Sequence, residues 1–380
     1  MNSWSIFKVF FGLGCYSFGG PAAHIGYFRN QFVIQRQWLS EEEFAQLVAL
    51  SQFLPGPGSS QVGFALGYKQ GGLPGAISAF LGFTLPSIFA MMALALVGNQ
   101  LTEHSAYQGF VHGLKLLAVV VVADATWGMY KNFCQHKVTQ LLAGITAVCL
   151  LIAPSLWLQL VLILLAGLVG STWLARSAAP SSSSVFRPNL WPIALFFIVL
   201  LSMPWLGEVF SLASLFNDFY QAGTLVFGGG HVVLPLLQTL VGEQLTSDQF
   251  LAGYAAAQAV PGPMFTFATF LGYFLYPQPI VGAIVATIAI FAPGFLLLLG
   301  VIKHWQVLAN QPRIAGALKG VNASVVGLLA AALYQPVMSS AVVNASDMAL
   351  VVAGFIALKT LKLPIIALIG LFAGLGILVL

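Results

Sequence analysis

Apolar residues run along this chain in long blocks, and the residues that punctuate them are chiefly Gly, Pro, Ser and Thr. The blocks predict helices at about 72–98, 109–131, 138–153 and 155–174, and a second set at about 280–302, 314–335, 346–358 and 363–380. One extra apolar helix is predicted from about Trp191 to Pro204. Ahead of each set stand two elements interrupted in the middle, at about 4–37 and 41–69, then at about 209–243 and 246–273. The clearest interruption is Gln52-Phe53-Leu54-Pro55-Gly56-Pro57-Gly58-Ser59-Ser60-Gln61. Pro57 has no N–H, and Pro55 and Pro57 both disfavour the α conformation in the residue before them. Gly56 removes the last steric restraint. A helix from about Glu41 to Leu54 therefore ends here, and another begins with Pro57 in its first turn. Gln258-Ala259-Val260-Pro261-Gly262-Pro263-Met264 repeats the device.

The repetition extends over about a hundred residues. Phe18-Gly19-Gly20-Pro21 matches Phe227-Gly228-Gly229-Gly230 at an offset of 209, and Leu39-Ser40-Glu41-Glu42-Glu43-Phe44 matches Leu245-Thr246-Ser247-Asp248-Gln249-Phe250 at 206. Gln52 and Pro55-Gly56-Pro57 match Gln258 and Pro261-Gly262-Pro263, also at 206. Phe83-Thr84-Leu85-Pro86 matches Ile290-Phe291-Ala292-Pro293, and Gly113 matches Gly320, both at 207. Two copies of one unit explain this offset. The expected division is 1–174, a linker with the extra helix at 175–206, and 207–380, the linker being the Ser/Pro-rich run from Leu174 to Pro188.

Composition sets the class. With 59% hydrophobic and 6% charged residues, the chain is an all-α polytopic membrane protein, with two inverted-topology repeats of broken or re-entrant helices. Its 14 Lys and Arg are scattered singly, which is no footprint for nucleic acid. Cys15, Cys134 and Cys149 show no metal spacing and read as small apolar residues. The apolar N-terminus lacks a small-x-small cleavage site and is expected to be retained. Hydrolase, metalloprotease and ATP-binding motifs are absent, so no enzyme and no cofactor are expected, and energy comes from a gradient or from the substrate.

Half-helix length and basic residues bear on topology. About 14 residues from Glu41 to Leu54 span roughly 21 Å, short of a hydrocarbon core of about 30 Å, so the halves either continue in line or fold back. With all four broken elements as hairpins and the N-terminus inside, Lys8, Arg29, Arg36, Lys69, Lys131, Lys137, Arg176, Arg187, Lys303, Arg313, Lys359 and Lys362 fall on the cytoplasmic side. Nine helices then cross and the C-terminus lies outside. The loops around 241–245 and 273–279 carry no Lys or Arg, which makes the halves inverted relative to each other.

Each break places Gly or Gly-Pro at the start of a half-helix: Gly20-Pro21, Gly56-Pro57, Gly229-Gly230-His231 and Gly262-Pro263. The next N–H groups lack intrahelical partners and, with the helix dipole, offer positive potential without a charged side chain. The candidates are the amides of Ala22–His24, Gly58–Ser60, Gly230–Val232 and Met264–Thr266, with the hydroxyls of Ser59, Ser60 and Thr266 and the amides of Gln52, Gln61 and Gln258. Such a site suits a small tetrahedral oxyanion. Packing kinks alone would explain one such break; four paired by a repeat favour function. His24 and His231 follow Gly-rich breaks, at unequal offsets, and read either as ligand or proton-coupling groups or as histidines bonded to carbonyls. Lys115, Asp124 and Asp218 lie within apolar helices and are candidates for electrostatic attraction, coupling or ion pairing. Lys319 is expected to snorkel, and Arg29 and Arg36 to fix orientation or draw substrate in. Ser40 with Glu43 reads as a capping box behind the interfacial Trp38.

These stretches resemble a known family. Phe18-Gly19-Gly20-Pro21-Ala22-Ala23-His24, Trp38-Leu39-Ser40-Glu41 and Gln52 to Gln61 are similar to signature stretches of chromate transporters. Phe227-Gly228-Gly229-Gly230-His231-Val232-Val233-Leu234-Pro235-Leu236 and Val260-Pro261-Gly262-Pro263 resemble its second-half signatures, as in the long, two-domain members. Position 230 departs, with Gly where the first repeat has Pro21. The resemblance implies efflux of chromate across the bacterial inner membrane, driven by membrane potential or a proton gradient, with sulfate as a close analogue. Uptake of sulfate or molybdate, or a non-transporting scaffold or sensor, are the alternatives. The implied partners are the oxyanion, the lipid bilayer and, as an open arrangement, a homodimer.

Overall fold

The computed structural model describes residues 2–101, 105–175, 188–227, 229–303 and 311–379. Among them there are helices and loops and no strand. The first half contains α1 (Ser3–Tyr16), α2 (Gly20–Phe28) with a π-helical continuation Arg29–Gln35, α3 (Glu41–Phe53), α4 (Gly58–Leu101), α5 (Ser105–Phe133), α6 (Lys137–Ile152) and α7 (Leu156–Trp173). Then follow α8 (Leu190–Val209), α9 (Ser211–Leu225), α10 (Val233–Val241), α11 (Ser247–Ala259), α12 (Phe267–Leu275), α13 (Pro279–Val301), α14 (Pro312–Ala332) with a π-helical end Leu333–Met338, α15 (Ala345–Lys359) and α16 (Ile365–Val379).

The broken elements are helical hairpins. Were α1 and α2 in line, Phe10 and Phe28 would lie roughly 27 Å apart at 1.5 Å per residue. Instead their rings are 5.8 Å apart, and Phe10 stacks on Phe32 at 4.9 Å. The α3–α4 hairpin closes where Gln70 Nε2 donates to Trp38 O at 3.2 Å and Lys69 pairs with Glu43. Phe267 on α12 meets Phe250 and Tyr254 on α11 at 5.1 and 5.8 Å, and α10 packs back on α9. The two second hairpins start alike. Ser40 and Glu43 exchange bonds of 3.0 and 3.2 Å, and their repeat partners Thr246 and Gln249 exchange bonds of 3.1 and 3.1 Å.

α4 is two helices meeting at Gly71 (φ −150°) and Gly72 (φ +60°). The left-handed value at residue 72 suits glycine, and the chain reverses there, because a Cβ on Gly67 would lie 2.6 Å from the Ala79 methyl. The limb 73–98 is thus the apolar crossing. With 108–133, Leu190–Val209, Pro279–Val301 and 312–341 it makes five helices long and apolar enough to cross a bilayer. The other four expected crossings, α6, α7, α15 and α16, have 16, 18, 15 and 15 residues and reach only about 22–27 Å.

α5 is buried from Leu114 through Val122 on every face, so it is the central helix. It packs on α16 through Gly113, where an added Cβ would stand 3.3 Å from Gly376 Cα. The repeat-equivalent Gly320 on α14 packs on α7 in the same way, 3.1 Å from Gly170 Cα. α8 runs past the expected end at Pro204, which sits inside it, and buries only Phe196 among its side chains. Trp157, Trp173, Trp191 and Trp205 stand exposed, as interfacial aromatics do. Arg176 and Arg187 of the linker lie outside the described residues.

Candidate functional site

Left-handed glycines turn the chain at each fully described break: Gly19 (φ +99°) and Gly20 (+74°), Gly56 (+118°), and Gly262 (+99°). Pro21 sits in the first turn of α2, where its missing N–H costs nothing. Gly228 lies outside the described residues, and its neighbour Gly229 (φ +153°) precedes the 3₁₀ turn Gly230–Val232.

The four breaks meet, and they meet reciprocally. Gly56 N–H donates to Val226 O at 2.7 Å, and its repeat counterpart Gly262 N–H donates to Ser17 O at 2.9 Å. Each acceptor lies just ahead of the other half's Phe-Gly-Gly. Gly56 and Gly294 of α13 are in close contact, a Cβ on Gly56 standing 2.9 Å from Gly294 Cα. Gly262 abuts Ser87 of α4, whose hydroxyl donates to Pro261 O at 2.6 Å. Ser87 and Gly294 each follow the repeated Pro86 and Pro293. Gly230 completes the cluster, because a Cβ there would stand 3.2 Å from Pro21 Cγ and 3.4 Å from Met264 Cε.

His24 joins the first two breaks. It is fully buried, with Nε2 3.2 Å from Ser17 O and Nδ1 3.2 Å from Ser59 Oγ. A carbonyl only accepts, so Nε2 carries the proton. Nδ1 of the neutral ring then accepts from Ser59. His24 is therefore bonded to a carbonyl and positions Ser59. His231 Nδ1 faces Tyr254 Oη at 2.8 Å and Gln258 Nε2 at 3.4 Å. The Gln258 amide can only donate there, so Nδ1 accepts from both.

Hydrogen-bond accounting separates the expected ligand groups. Gln61 is fully buried, but its Nε2 donates to Pro55 O (2.9 Å) and Gly294 O (3.1 Å), so it braces the backbone. Gln258 Nε2 also faces Met264 Sδ at 2.8 Å. Thr266 Oγ1 donates to Pro263 O at 2.8 Å, and Thr266 N–H to the same carbonyl at 3.0 Å, so neither is free for a ligand. Val232 N–H similarly bonds Gly229 O at 3.3 Å. Gln52 is exposed in the last turn of α3, just ahead of Pro55. α10 and α12 begin behind 3₁₀ turns, whereas α2 and α4 begin directly at Gly20 and Gly58. In α4 the first intrahelical bond is Gln61 N to Pro57 O (2.9 Å), which leaves the amides of Gly58, Ser59 and Ser60 without an intrahelical acceptor.

Four buried polar atoms of this neighbourhood have no hydrogen-bond partner: Ser17 Oγ, Ser60 Oγ, Gln61 Oε1 and Thr84 Oγ1. Unpaired buried groups of this kind cost about 1–3 kcal/mol each unless a partner outside the chain satisfies them. All four lie in the first half. Of them, only Ser60 and Gln61 belong to the expected set. Ser17, Thr84 and the supporting Ser87 are single polar residues in apolar runs, and only the repeat match at Pro86 and Pro293 pointed to that stretch.

Among the charged candidates, Lys115 stands apart from the breaks. Lys115 Nζ pairs with Asp248 at 2.8 Å, near the start of α11 and roughly 16 Å of helix from its broken end. Asp124 pairs with Lys359. Arg29 grips Glu41 through two bonds of 2.9 and 2.5 Å, tying the first hairpin to the second. Asp218 makes no ion pair among the described residues.

Comparison with known proteins is consistent across the chain. The family described as chromate transporter matches residues 4–171 and 213–377. A chromate transport protein of Cupriavidus metallidurans is 28% identical, covering 96% of this chain and 91% of the relative. One from Pseudomonas aeruginosa is 28% identical over 87% of this chain and 80% of its own. An uncharacterized transporter of Methanocaldococcus jannaschii is 27% identical over 87% and 83%. No solved structure matches.

Proposed function

The chain belongs to the chromate transporter family, and we propose that it exports chromate, or a related tetrahedral oxyanion, across the bacterial inner membrane as a secondary transporter driven by the membrane potential or a proton gradient. The observation that carries this reading is the set of unpartnered buried hydroxyls of Ser17, Ser60 and Thr84, together with the bare first-turn amides of α4. All are donors to an anion, and none brings a fixed charge that would hold the product too tightly. A dianion gains from the dipole of α4, worth about 0.3–1 kcal/mol and up to about 2 when buried. Each hydroxyl bond to a charged ligand adds about 1.5–3 kcal/mol. His24 holds Ser59 in place, Gln61 braces the first Pro-Gly-Pro turn at Pro55 O, and Gln258 bonds His231 and Met264.

The reciprocal contacts at Gly56 and Gly262, and at Gly113 and Gly320, support two inverted repeats related by a pseudo-two-fold axis through the site. The hairpins then act as re-entrant elements, and alternating access opens one pair of breaks at a time. Sulfate shares the shape and charge of chromate and competes for the site. In everted vesicles, energisation drives chromate accumulation that sulfate inhibits. Accumulation only in right-side-out vesicles establishes uptake in place of export, and no energised movement of either anion overturns the transport reading.

A further inference from the structure

A cavity with polar groups in its wall lies away from the breaks. It has a volume of about 320 Å³ and sits between the end of α10, the α6–α7 connection and the π-helical end of α14. Gln159, Gln238, Thr239, Glu243 and Gln335 supply its polar lining, and no Lys, Arg or His is among the lining residues.

Gln159 is 6% exposed, and its Nε2 donates to Thr239 Oγ1 at 2.9 Å. Thr239 in turn donates its proton to Pro235 O at 3.0 Å. The Thr239 hydroxyl and one N–H of Gln159 are thus engaged inside the protein, while Gln159 Oε1 has no hydrogen-bond partner. Gln335 leaves the helical conformation (φ −133°, ψ 115°), and Pro336 beside it has no N–H. A carbonyl one turn earlier, at Ala331 or Ala332 in the cavity wall, therefore lacks the bond Pro336 would have given. The C-terminal end of α10, at Val241, adds the negative pole of its dipole. Glu243 at the exposed mouth is the one formal charge among the lining residues.

We propose that this cavity binds a monovalent alkali cation. Spare oxygen lone pairs, one carboxylate and a helix C-terminus are the ligand chemistry of a hard cation of unit charge. A Ca²⁺ site draws on more carboxylates than one. The cavity touches α10, the half-helix that starts at the Gly229–His231 break, so cation binding biases the position of that break. The site stands independently of the oxyanion reading.

The test uses the purified full chain without oxyanion, titrated with NaCl or KCl against choline chloride at constant ionic strength. The thermal unfolding midpoint is the readout. Na⁺ or K⁺ raises the midpoint saturably and choline does not. Glu243→Gln, a change at the exposed mouth, and Gln159→Leu each shift the half-saturating concentration upward by about tenfold or more. Equal stabilisation by choline, no response in the wild type, or a wild-type response in Glu243→Gln overturns the proposal. A chromate response recorded separately in choline chloride shows whether the oxyanion site survives that outcome.

Discussion

Replacing Gly56 by alanine tests the interlock between the halves. Gly56 holds φ +118°, where a residue with a Cβ is strained by about 1–3 kcal/mol. The new methyl would stand 2.9 Å from Gly294 Cα and 3.1 Å from Gln61 Nε2, and overpacking of this kind costs about 1–3 kcal/mol. Moving residue 56 to relieve either stretches the 2.7 Å bond from its N–H to Val226 O, worth about 0.5–1.5 kcal/mol. Together about 2.5–7.5 kcal/mol acts against the closed break. At 1.4 kcal/mol per factor of ten, even the lower figure depletes that state by about 60-fold. Initial chromate flux into proteoliposomes, normalised to reconstituted protein, should fall by at least that factor. Gly144→Ala, on a helix with open space around the position, controls for the substitution and should keep wild-type flux. Gly56→Ala flux within about threefold of wild type would refute the interlock.

Three further outcomes follow from the same geometry. Gly262→Ala drives a Cβ into the Ser87 hydroxyl, so the single variant should lose flux as Gly56→Ala does, and adding Ser87→Ala should recover part of the loss. Lys115→Met leaves Asp248, 67% exposed on its side chain, in water, and should change chromate affinity by less than about twofold in a calorimetric titration. The Lys69 hydrogen bond holds the Glu43 carboxyl below its ordinary value of 4.5. A folded pKa below the unfolded one gives stability that is present above the unfolded value and is lost as pH falls through the folded one. Below about pH 4.5 the wild-type unfolding midpoint should therefore drop faster than that of Glu43→Gln, by under about 1 kcal/mol because the pair is half exposed.

The breaks were legible because Gly and Pro act locally. Pro55-Gly56-Pro57 ends a helix wherever it is placed, and the capping boxes at Ser40 and Thr246 are equally local. The repeat is read from spacing alone. Which break meets which is not, because the bonds from Gly56 to Val226 and from Gly262 to Ser17 join residues far apart in the chain. The roles of Gln61, Gln258 and Thr266 were hidden for a related reason. A polar side chain near a break looks like a ligand until the carbonyl that takes its proton is known. Ion pairing was open for Lys115 and Asp124, but their partners, Asp248 and Lys359, lie far off in the chain. The π-helical stretches at Arg29 and Leu333 carry no local signal beyond Pro336, whereas the reversal at Gly71-Gly72 falls between the expected elements 41–69 and 72–98.

The central claim is that unpartnered hydroxyls at the breaks await an oxyanion. Sulfate and chromate binding to purified wild type, Ser60→Ala and Thr84→Ala, measured beside the unfolding midpoint without ligand, tests it most directly. Removing an unpartnered buried hydroxyl relieves a desolvation cost, so each variant should be as stable as the wild type or more so, while its Kd rises by about 10- to 100-fold for one lost bond to a charged ligand. Unchanged Kd in both variants would contradict the account.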